Sequence, residues 1–340
     1  MTLRSKLLVL LAAVLALSAV AATTLLHASD RAARKDQAQP GGPRVVDGRV
    51  SLVPEAAGRR MVFRNMAWGP HRDELSSVPA GSPGGTRTAS GVKCLRFYAA
   101  AGTGICLQAE HGAVQDSYRA VLLDANLHER AHYALPGIPT RARVSPSGHL
   151  VAWTVFVGGD SYAGTNFSTR TAVLDTRTGR LDASLEDFDA IRDGHRLHAA
   201  DLNYWGITFA DDQHFYATMA TGGKTYLVHG DLTARTLTVL RSNVECPSLS
   251  PDGTRIAFKK RVSGLSVDAP WRLYVLDLRT MREKPLGETR SVDDQIVWRD
   301  GRTVVYSLPG DYGADLYSVP ADGSGSPRMV TGAALSPAYL

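Results

Sequence analysis

The sequence predicts an all-β fold, a six-bladed β-propeller with four antiparallel strands in each blade, preceded by an N-terminal signal or anchor helix. Three observations support this prediction. A turn followed by a short apolar run recurs at intervals of roughly 40 to 50 residues, which is the period of propeller blades. The predicted strands are apolar at consecutive positions, and no amphipathic helical segment follows the N-terminal run.

The N-terminal segment, residues 1–27, has the composition of a signal peptide or signal anchor. Residues 1–6 are basic, and residues 7–26 contain no charged side chain. The triplet Ala19-Val20-Ala21 suits cleavage by signal peptidase, but the apolar run is also long enough to span a bilayer uncleaved. The basic end stays in the cytoplasm in both cases. We therefore expect the rest of the chain to be extracytoplasmic, either secreted or tethered by this segment.

Residues 28–44 mix small, charged, Gln, Pro and Gly residues without apolar periodicity, which predicts a flexible linker. The propeller then occupies residues 45–340. The formal net charge of +5 is modest and includes no dense basic stripe, so a nucleic-acid binder is not expected.

The repeated stretch is clearest in "LSPDGTRIAF" at 249–258 and "VSPSGHLVAW" at 144–153. Proline pre-sets φ at the second position of a tight turn, and the glycine accepts the left-handed position that follows. Each copy therefore predicts a strand, a tight turn and a second strand. Six copies are found, at 58–63, 102–107, 148–153, 212–217, 253–258 and 301–306.

Each copy is followed by a second apolar run, and a further segment completes four strands in each unit. The runs are at 73–80, 117–124, 170–176, 224–231, 272–278 and 315–321. Runs such as "IAF", "VVY" and "YVL" are apolar at consecutive positions, so both faces of each sheet should be covered. Stacked blades meet that requirement, whereas a two-sheet sandwich leaves one face of each sheet exposed to water.

The closure of the ring has two alternatives in the sequence. "VSLV" at 50–53 can supply the inner strand of the first unit, while "ALSP" at 334–337 resembles the start of a further copy. The two segments compete for one position, or the tail caps the ring.

The Ser250-Pro251-Asp252-Gly253 turn, "RIAF" and "LYVLDL" resemble the repeat of TolB-like, WD40-like (PD40) six-bladed propellers over about residues 45–332. This resemblance implies the propeller fold, and it is compatible with interaction modules and with the non-catalytic part of serine peptidases. The short segment 28–44 has no room for the α/β domain that precedes the propeller in TolB itself, so a Tol-type role does not follow from the resemblance.

The three cysteines allow one disulfide in an exported protein. Cys94 and Cys106 flank a predicted hairpin and can face each other across it, which leaves Cys246 unpaired. The alternative is that all three are small buried apolar residues.

The long insertions predict where a binding surface lies. They are at 67–73, 158–169, 190–205 and 263–270, and strand alternation places most of them at one end of the blades. Within them we select candidate residues for partner binding by their aromatic or polar side chains. The candidates are Tyr162, Phe167, His195, His198, Asp201, Tyr204 and Trp205.

Catalytic signatures are weak. His195, His198 and Asp201 can serve as metal ligands, but so short a match has little specificity and hydrogen bonding within a polar loop is the favoured explanation, so no metal and no cofactor are predicted. "GDSYA" at 159–163 departs from the G-x-S-x-G motif at its last position and lies in a loop, which argues against Ser161 as a nucleophile. "FKKR" at 258–261 is interpreted as a solvated strand edge.

These observations predict a monomeric, non-catalytic propeller that acts as a protein-interaction or scaffold module in the bacterial cell envelope. Its partner is expected to be an envelope or extracellular protein, with membrane contact only through an uncleaved N-terminal segment. The alternative is a metal-dependent propeller enzyme of the lactonase or lyase type, or a binder of a small extracellular ligand. An enzyme needs acidic or His side chains from several blades at the axis, and the predicted inner strands carry none in a repeated position.

Overall fold

A computed structural model describes residues 3–54, 58–112, 115–163 and 167–340, without the side chains of residues 31 and 32. It begins with the exposed helix α1 (Leu3–Lys35), which is long and apolar enough to cross a membrane, as an N-terminal signal sequence also is. The helix continues into the segment predicted as a linker, because its last residues are rich in Ala, Arg and Lys, which favour helix.

The described residues after α1 form six β-sheets arranged as the blades of a propeller, as the sequence predicts. Blade 1 contains five strands. In spatial order they are β1 (Val45–Asp47), β4 (Arg87–Lys93), β3 (Glu74–Pro79), β2 (Arg60–Asn65) and β27 (Ala334–Tyr339).

The other blades have their first strand at the inner edge. Blade 2 contains β5 (Arg96–Ala100), β6 (Thr103–Glu110), β7 (Ser117–Leu123) and β8 (Glu129–Leu135). Blade 3 contains β9 (Ile138–Val144), β10 (Leu150–Gly158), β11 (Ser168–Asp175) and β12 (Leu181–Asp182). The short 3-10 helix Leu185–Asp187 follows blade 3.

Blade 4 carries an additional hairpin at its outer edge, formed by β13 (Asp189–Arg192) and β14 (His195–Arg196). Its main strands are β15 (Asn203–Phe209), β16 (His214–Thr221), β17 (Lys224–Asp231) and β18 (Thr236–Ser242). Blade 5 contains β19 (Glu245–Leu249), β20 (Arg255–Arg261), β21 (Trp271–Asp277) and β22 (Glu283–Pro285). Blade 6 contains β23 (Val297–Trp298), β24 (Thr303–Gly310), β25 (Gly313–Pro320) and β26 (Arg328–Thr331).

The C-terminal tail closes the ring. β27 pairs antiparallel with β2, with Met61 opposite Tyr339 and Asn65 opposite Ala334, so the tail is the inner strand of blade 1. Residues 50–53 form no strand. Leu52 instead donates a backbone hydrogen bond to the carbonyl of Ala125 and is buried among side chains of blades 1 and 2. Of the two alternatives for the inner position, the structure selects 334–339.

The apolar strands are buried on both faces, as their consecutive apolar residues predict. Seven successive residues of β10, from Leu150 to Phe156, are buried. The Ser-Pro-x-Gly turns also have the predicted geometry, with positive φ at Gly148 and Gly253. Packing between neighbouring blades therefore supplies the core, and the loops at the blade ends remain free to form a site.

Candidate functional site

The insertions lie at one end of the propeller. Strand direction alternates within a blade, so loops between second and third strands share a rim with the connections between blades. We call this the insertion rim, formed by residues 66–73, 159–163, 167, 193–202 and 262–270 together with the short turns at 222–223, 243–244 and 311–312. Helix α1 ends against the same rim, since the amide of Gly69 donates to the carbonyl oxygen of Lys35 over 2.8 Å.

One insertion folds inward and fills the centre of the rim. The hydroxyl groups of Tyr162 and Thr140 lie 2.8 Å apart, and the Tyr162 ring contacts the rings of Phe156 and Trp205 at centroid distances of 4.6 and 5.2 Å. The Arg141 guanidinium lies 4.8 Å from the centroid of the Tyr162 ring. Burial raises the pKa of Tyr162, so the phenol stays protonated and acts in packing.

The axis beneath Tyr162 is charged. Blades 3 and 6 are opposite in the ring, and Arg141 from β9 donates to the carbonyl oxygen of Asp293, before β23, over 3.3 Å. Arg96 from β5 lies 3.5 Å from the Asp294 carboxylate. Although burial alone would raise the pKa of Asp294, the charges of Arg96 and Arg141 lower it, so the carboxylate is ionised. Charges from opposite blades therefore neutralise one another across the axis.

A second buried group of charges lies between the axis and blade 5. Lys259 is completely buried, ion-paired with Asp293, with its ammonium 3.8 Å from the centroid of the Trp271 ring. The Arg261 guanidinium donates to Glu245 Oε1 over 2.7 Å. The interpretation of "FKKR" as a solvated edge is therefore wrong for Lys259, because strand alternation directs Lys259 and Arg261 together toward Glu245.

The axial charges leave little free space. The cavity among Arg96, Arg141, Arg143 and Asp294 has a volume of about 30 Å³, which is room for one or two waters. Arg143 donates to the carbonyl oxygen of Ile296 over 2.6 Å and thereby also crosses the axis. Its position prevents a larger opening on this side.

An open groove lies on the insertion rim, lined by residues of blades 3, 4 and 5. It consists of two adjoining depressions of about 240 and 400 Å³, which share Gly223, Lys224, Thr225 and Arg261. We call it the rim groove. Its remaining lining residues are Phe167, Asp201, Asn203, Trp205, Ala220 and Thr221 in the first depression and Arg192, Tyr226, Ser242 and Asn243 in the second.

Asp201 sets the geometry of the rim groove. Its carboxylate accepts hydrogen bonds from Thr221 Oγ1 at 2.6 Å and from the amide of Gly222 at 2.7 Å. These hydrogen bonds lower the pKa of Asp201, the one from Thr221 having the largest effect. They also hold the turn that precedes Lys224, in which Gly222 and Gly223 both have positive φ.

The seven candidate residues have different environments. Phe167, Asp201 and Trp205 meet at the rim groove. Tyr162 and Tyr204 are buried, with exposed fractions of 2% and 0%, and Trp205 is only 1% exposed.

Tyr162 and Tyr204 therefore offer no surface to a partner and are assigned to packing, because an inward loop and the inner strand β15 carry them. Trp205 forms part of the groove floor and does not project as an anchor.

The two histidines lie away from the groove. His195 is exposed on the outer hairpin of blade 4, and His198 lines a separate depression beside Glu186. Within the described ranges, no group of three or more His, Cys, Asp or Glu side chains is arranged to hold a metal ion.

The structure joins Cys94 and Cys106 in a disulfide and buries Cys246 as a free thiol. The bond links the segment entering blade 2 to β6. Cys246 packs with Phe156, Tyr162, Trp205 and Trp271 in an aromatic cluster beneath the rim.

Two groups of functional side chains were not among the sequence candidates. Arg141 and Arg143 belong to β9, where single arginines in a strand give no signal of an axial position. Lys224 and Arg261 come from different blades, so only the ring brings them together. One sequence signal for Arg261 was available. Lys259 and Arg261 are two positions apart, which in a strand places both side chains on one face.

Comparison with known proteins gives the fold. No protein-family model matches the sequence, and no curated protein matches it. TolB from Acinetobacter baumannii is similar in structure, with a TM-score of 0.55 and 18% identity over 83% of this chain and 66% of that chain. A chain of a nidogen/laminin complex is similar with a TM-score of 0.52 and 10% identity, over 83% of this chain and 98% of that chain.

The fold and the site together define a six-bladed β-propeller with a filled axis and an open groove on one rim. The chain spans just under two thirds of the TolB chain that it matches. Its fold is that of the TolB-like propellers, as the repeat predicts.

Proposed function

We propose that this chain is an exported, non-catalytic propeller that binds a protein partner through its insertion rim and acts as an interaction or scaffold module in the bacterial cell envelope. The observation that carries the proposal is the contrast between the propeller axis and the insertion rim. The axis is filled by Tyr162 and by charges that pair with one another, whereas the rim presents an open groove and long loops.

The filled axis argues against the enzymatic alternative. A propeller enzyme of the lactonase or lyase type requires acidic or His side chains that converge on a substrate-sized opening at the channel mouth. Here the cavity of about 30 Å³ is far smaller than a ligand pocket of several hundred Å³. The charged groups around it, such as Arg96 and Asp294, already have partners within the protein.

The insertion rim has features of a protein-binding surface. Val267 projects from the 262–270 loop with 78% of its surface exposed, and this loop follows Arg261, which lines the rim groove. An exposed apolar side chain on the same rim as a groove with aromatic and polar lining residues is a common arrangement in interfaces.

Two features support export. The apolar helix α1 has basic residues at its beginning, and the disulfide between Cys94 and Cys106 is of a kind that persists in oxidising compartments. A tethered protein would keep its insertion rim next to the membrane, because Lys35 at the end of α1 contacts that rim.

The proposal is tested by crosslinking in intact cells followed by affinity isolation of the full chain. The tag is inserted in the exposed turn at 178–179, on the rim opposite the insertions. The wild type is compared with a Val267→Glu/Lys224→Glu variant and with a control, Met329→Glu/Arg279→Glu, which changes an exposed apolar and an exposed basic residue away from the rim.

We expect a stoichiometric protein partner that is retained by the control and lost by the rim variant. A wild-type protein that isolates without a protein partner would contradict the proposal and favour the small-ligand alternative. Equal loss of the partner in both variants would contradict the role of the insertion rim.

A further inference from the structure

We propose that the rim groove binds an acidic peptide segment that carries an apolar side chain. The inference rests on the proposed function, since the segment belongs to the protein partner, and it states the chemistry by which that partner is recognised. Three properties of the groove lead to it, namely exposed basic side chains at its edge, an apolar floor, and lining residues that are held in place by hydrogen bonds and ring contacts.

The charge at the groove edge is positive. Arg192, Lys224 and Arg261 line it. Lys224 is exposed and makes no ion pair with the described residues, Arg192 makes an exposed ion pair with Asp193 at 3.5 Å, and Arg261 is paired with the buried Glu245. Among the described lining residues the one acidic side chain is Asp201, whose two carboxylate oxygens accept hydrogen bonds from Thr221 and Gly222. Asp201 therefore holds the turn in place, and the two exposed basic side chains, Lys224 and Arg192, are available to carboxylates of a ligand.

The basic side chains differ in how firmly they are held. Arg261 is fixed by Glu245, and its guanidinium also donates to the carbonyl oxygen of Tyr162 over 2.5 Å. Arg192 donates to the Tyr226 hydroxyl over 3.2 Å and lies 5.1 Å from the centroid of that ring. The Arg192 guanidinium and the Lys224 ammonium, which are both exposed, suit a segment with more than one carboxylate.

The floor of the groove is apolar and preformed. Phe167, Trp205 and Ala220 line it. The ring centroids of Phe167 and Trp205 are 5.3 Å apart, and Trp205 is held from below by Tyr162. A first depression of about 240 Å³ has room for one aliphatic or aromatic side chain, which would lose little entropy on entering a fixed site.

A peptide fits this surface better than an anionic membrane does. The insertion rim that surrounds the groove also carries exposed acidic residues on three loops outside the groove. They are Asp160, Asp268 and Asp311. A flat anionic bilayer would approach all three, whereas a peptide segment reaches the groove alone.

The experiment uses the purified full chain and a phage-displayed library of random nine-residue peptides. Selection is run on the wild type and on a Lys224→Glu/Arg192→Glu variant, with Arg279→Glu, an exposed position on the opposite rim, as the matched control. Binding of the most enriched peptides is then measured by fluorescence anisotropy at two salt concentrations. Vesicles of 1:1 phosphatidylglycerol and phosphatidylcholine serve as the lipid probe.

We expect enrichment of peptides with at least two acidic residues next to a large apolar one. Their affinity should fall tenfold or more in the Lys224→Glu/Arg192→Glu variant, change less than twofold in Arg279→Glu, and decrease when Asp and Glu of the peptide are replaced by Asn and Gln. A Lys224→Glu variant alone should show a smaller loss. This single substitution at an exposed turn keeps the test valid if the double variant folds poorly.

No acidic enrichment, or equal affinity of the double variant, would overturn the inference. The inference would also be overturned, in favour of a lipid ligand, if no acidic peptide is selected and the wild type binds the vesicles while the Lys224→Glu/Arg192→Glu variant does not. The failure of this inference can be distinguished from the failure of the proposed function. If the Lys224→Glu/Arg192→Glu variant retains the cellular partner and the Val267→Glu/Lys224→Glu variant loses it, recognition of an acidic segment by the rim groove is rejected and the proposed function stands.

Discussion

The Arg87 guanidinium donates a hydrogen bond to the carbonyl oxygen of Ala333 over 2.9 Å, which connects β4 of blade 1 to the residue before the closing strand β27. The same guanidinium bonds Asn65 Oδ1, Thr331 Oγ1 and the carbonyl of Gly332, and Arg87 is 1% exposed. These contacts span more than 240 positions of sequence between β4 and the tail. One buried side chain therefore holds both sides of the ring closure.

Replacing Arg87 with Met should destabilise the propeller by about 2–4 kcal/mol, because buried acceptors at Asn65, Gly332 and Ala333 lose their donor. The measurement is urea unfolding followed by circular dichroism. Arg130→Met, at an exposed position on β8, is the control and should change the unfolding free energy by less than about 0.5 kcal/mol. Equal stability of the two variants would show that Arg87 does not hold the closure.

Lys259 is expected to stabilise the axis only as a partner of the acidic groups around it. Lys259→Met should cost about 3 kcal/mol, because Glu245, which is fully buried, and Asp293 lose a compensating charge. Because Glu245 also pairs with Arg261, Glu245→Gln should itself be destabilising, and the double variant Lys259→Met/Glu245→Gln should lose less than the sum of the two single variants in a double-mutant cycle in urea. Additive losses in the cycle would mean that the pair is not coupled.

Glu186 should make the stability of the fold depend on pH. Burial raises the pKa of its carboxyl from 4.5 to about 7. The protonated form therefore contributes fully below about pH 4.5, and that contribution is lost as the pH rises through 7. Glu186→Gln should match the wild type at pH 4.5 and exceed it by about 2 kcal/mol at pH 8.

The measurement for Glu186 is thermal and urea unfolding at both pH values. Glu110→Gln, at an exposed position of β6, controls for the loss of one negative charge. A constant difference between Glu186→Gln and the wild type at the two pH values would contradict the raised pKa.

The disulfide should contribute measurably to stability, because it closes a loop with a sequence separation of 12. Cys94→Ser/Cys106→Ser is expected to lose about 3 kcal/mol of unfolding free energy relative to the oxidised wild type. Alkylation of protein isolated from cells, followed by mass spectrometry, checks the pairing. An equally stable double variant, or free thiols at both positions in the protein isolated from cells, would refute this expectation.

Much of the fold can be predicted from short stretches of the sequence. The Ser-Pro-x-Gly turns at 145–148 and 250–253 place hairpins, and consecutive apolar residues require sheets covered on both faces. These are properties of a few neighbouring residues, so one sequence suffices to predict blades and their number.

The features that the sequence left open depend on contacts between distant segments. Residues 50–53 and 334–337 are equally suited to an inner strand, and the choice is made by packing around Leu52 and by the Arg87 contacts. Tyr162 was expected at the binding surface because it lies in a long insertion. It is buried because aromatic rings and Arg141 from other strands surround it. Likewise, the rim groove exists only where Phe167, Lys224 and Arg261 meet from three blades.

The central claim is that the insertion rim contacts a protein partner, and site-specific photo-crosslinking tests it most directly. A photo-reactive amino acid is placed at Val267 on the insertion rim and, in a separate protein, at Arg279 on the opposite rim. After irradiation of intact cells, we expect a discrete adduct with one protein from position 267 and none from position 279. An adduct from 279 alone, or none from either position, would contradict the claim.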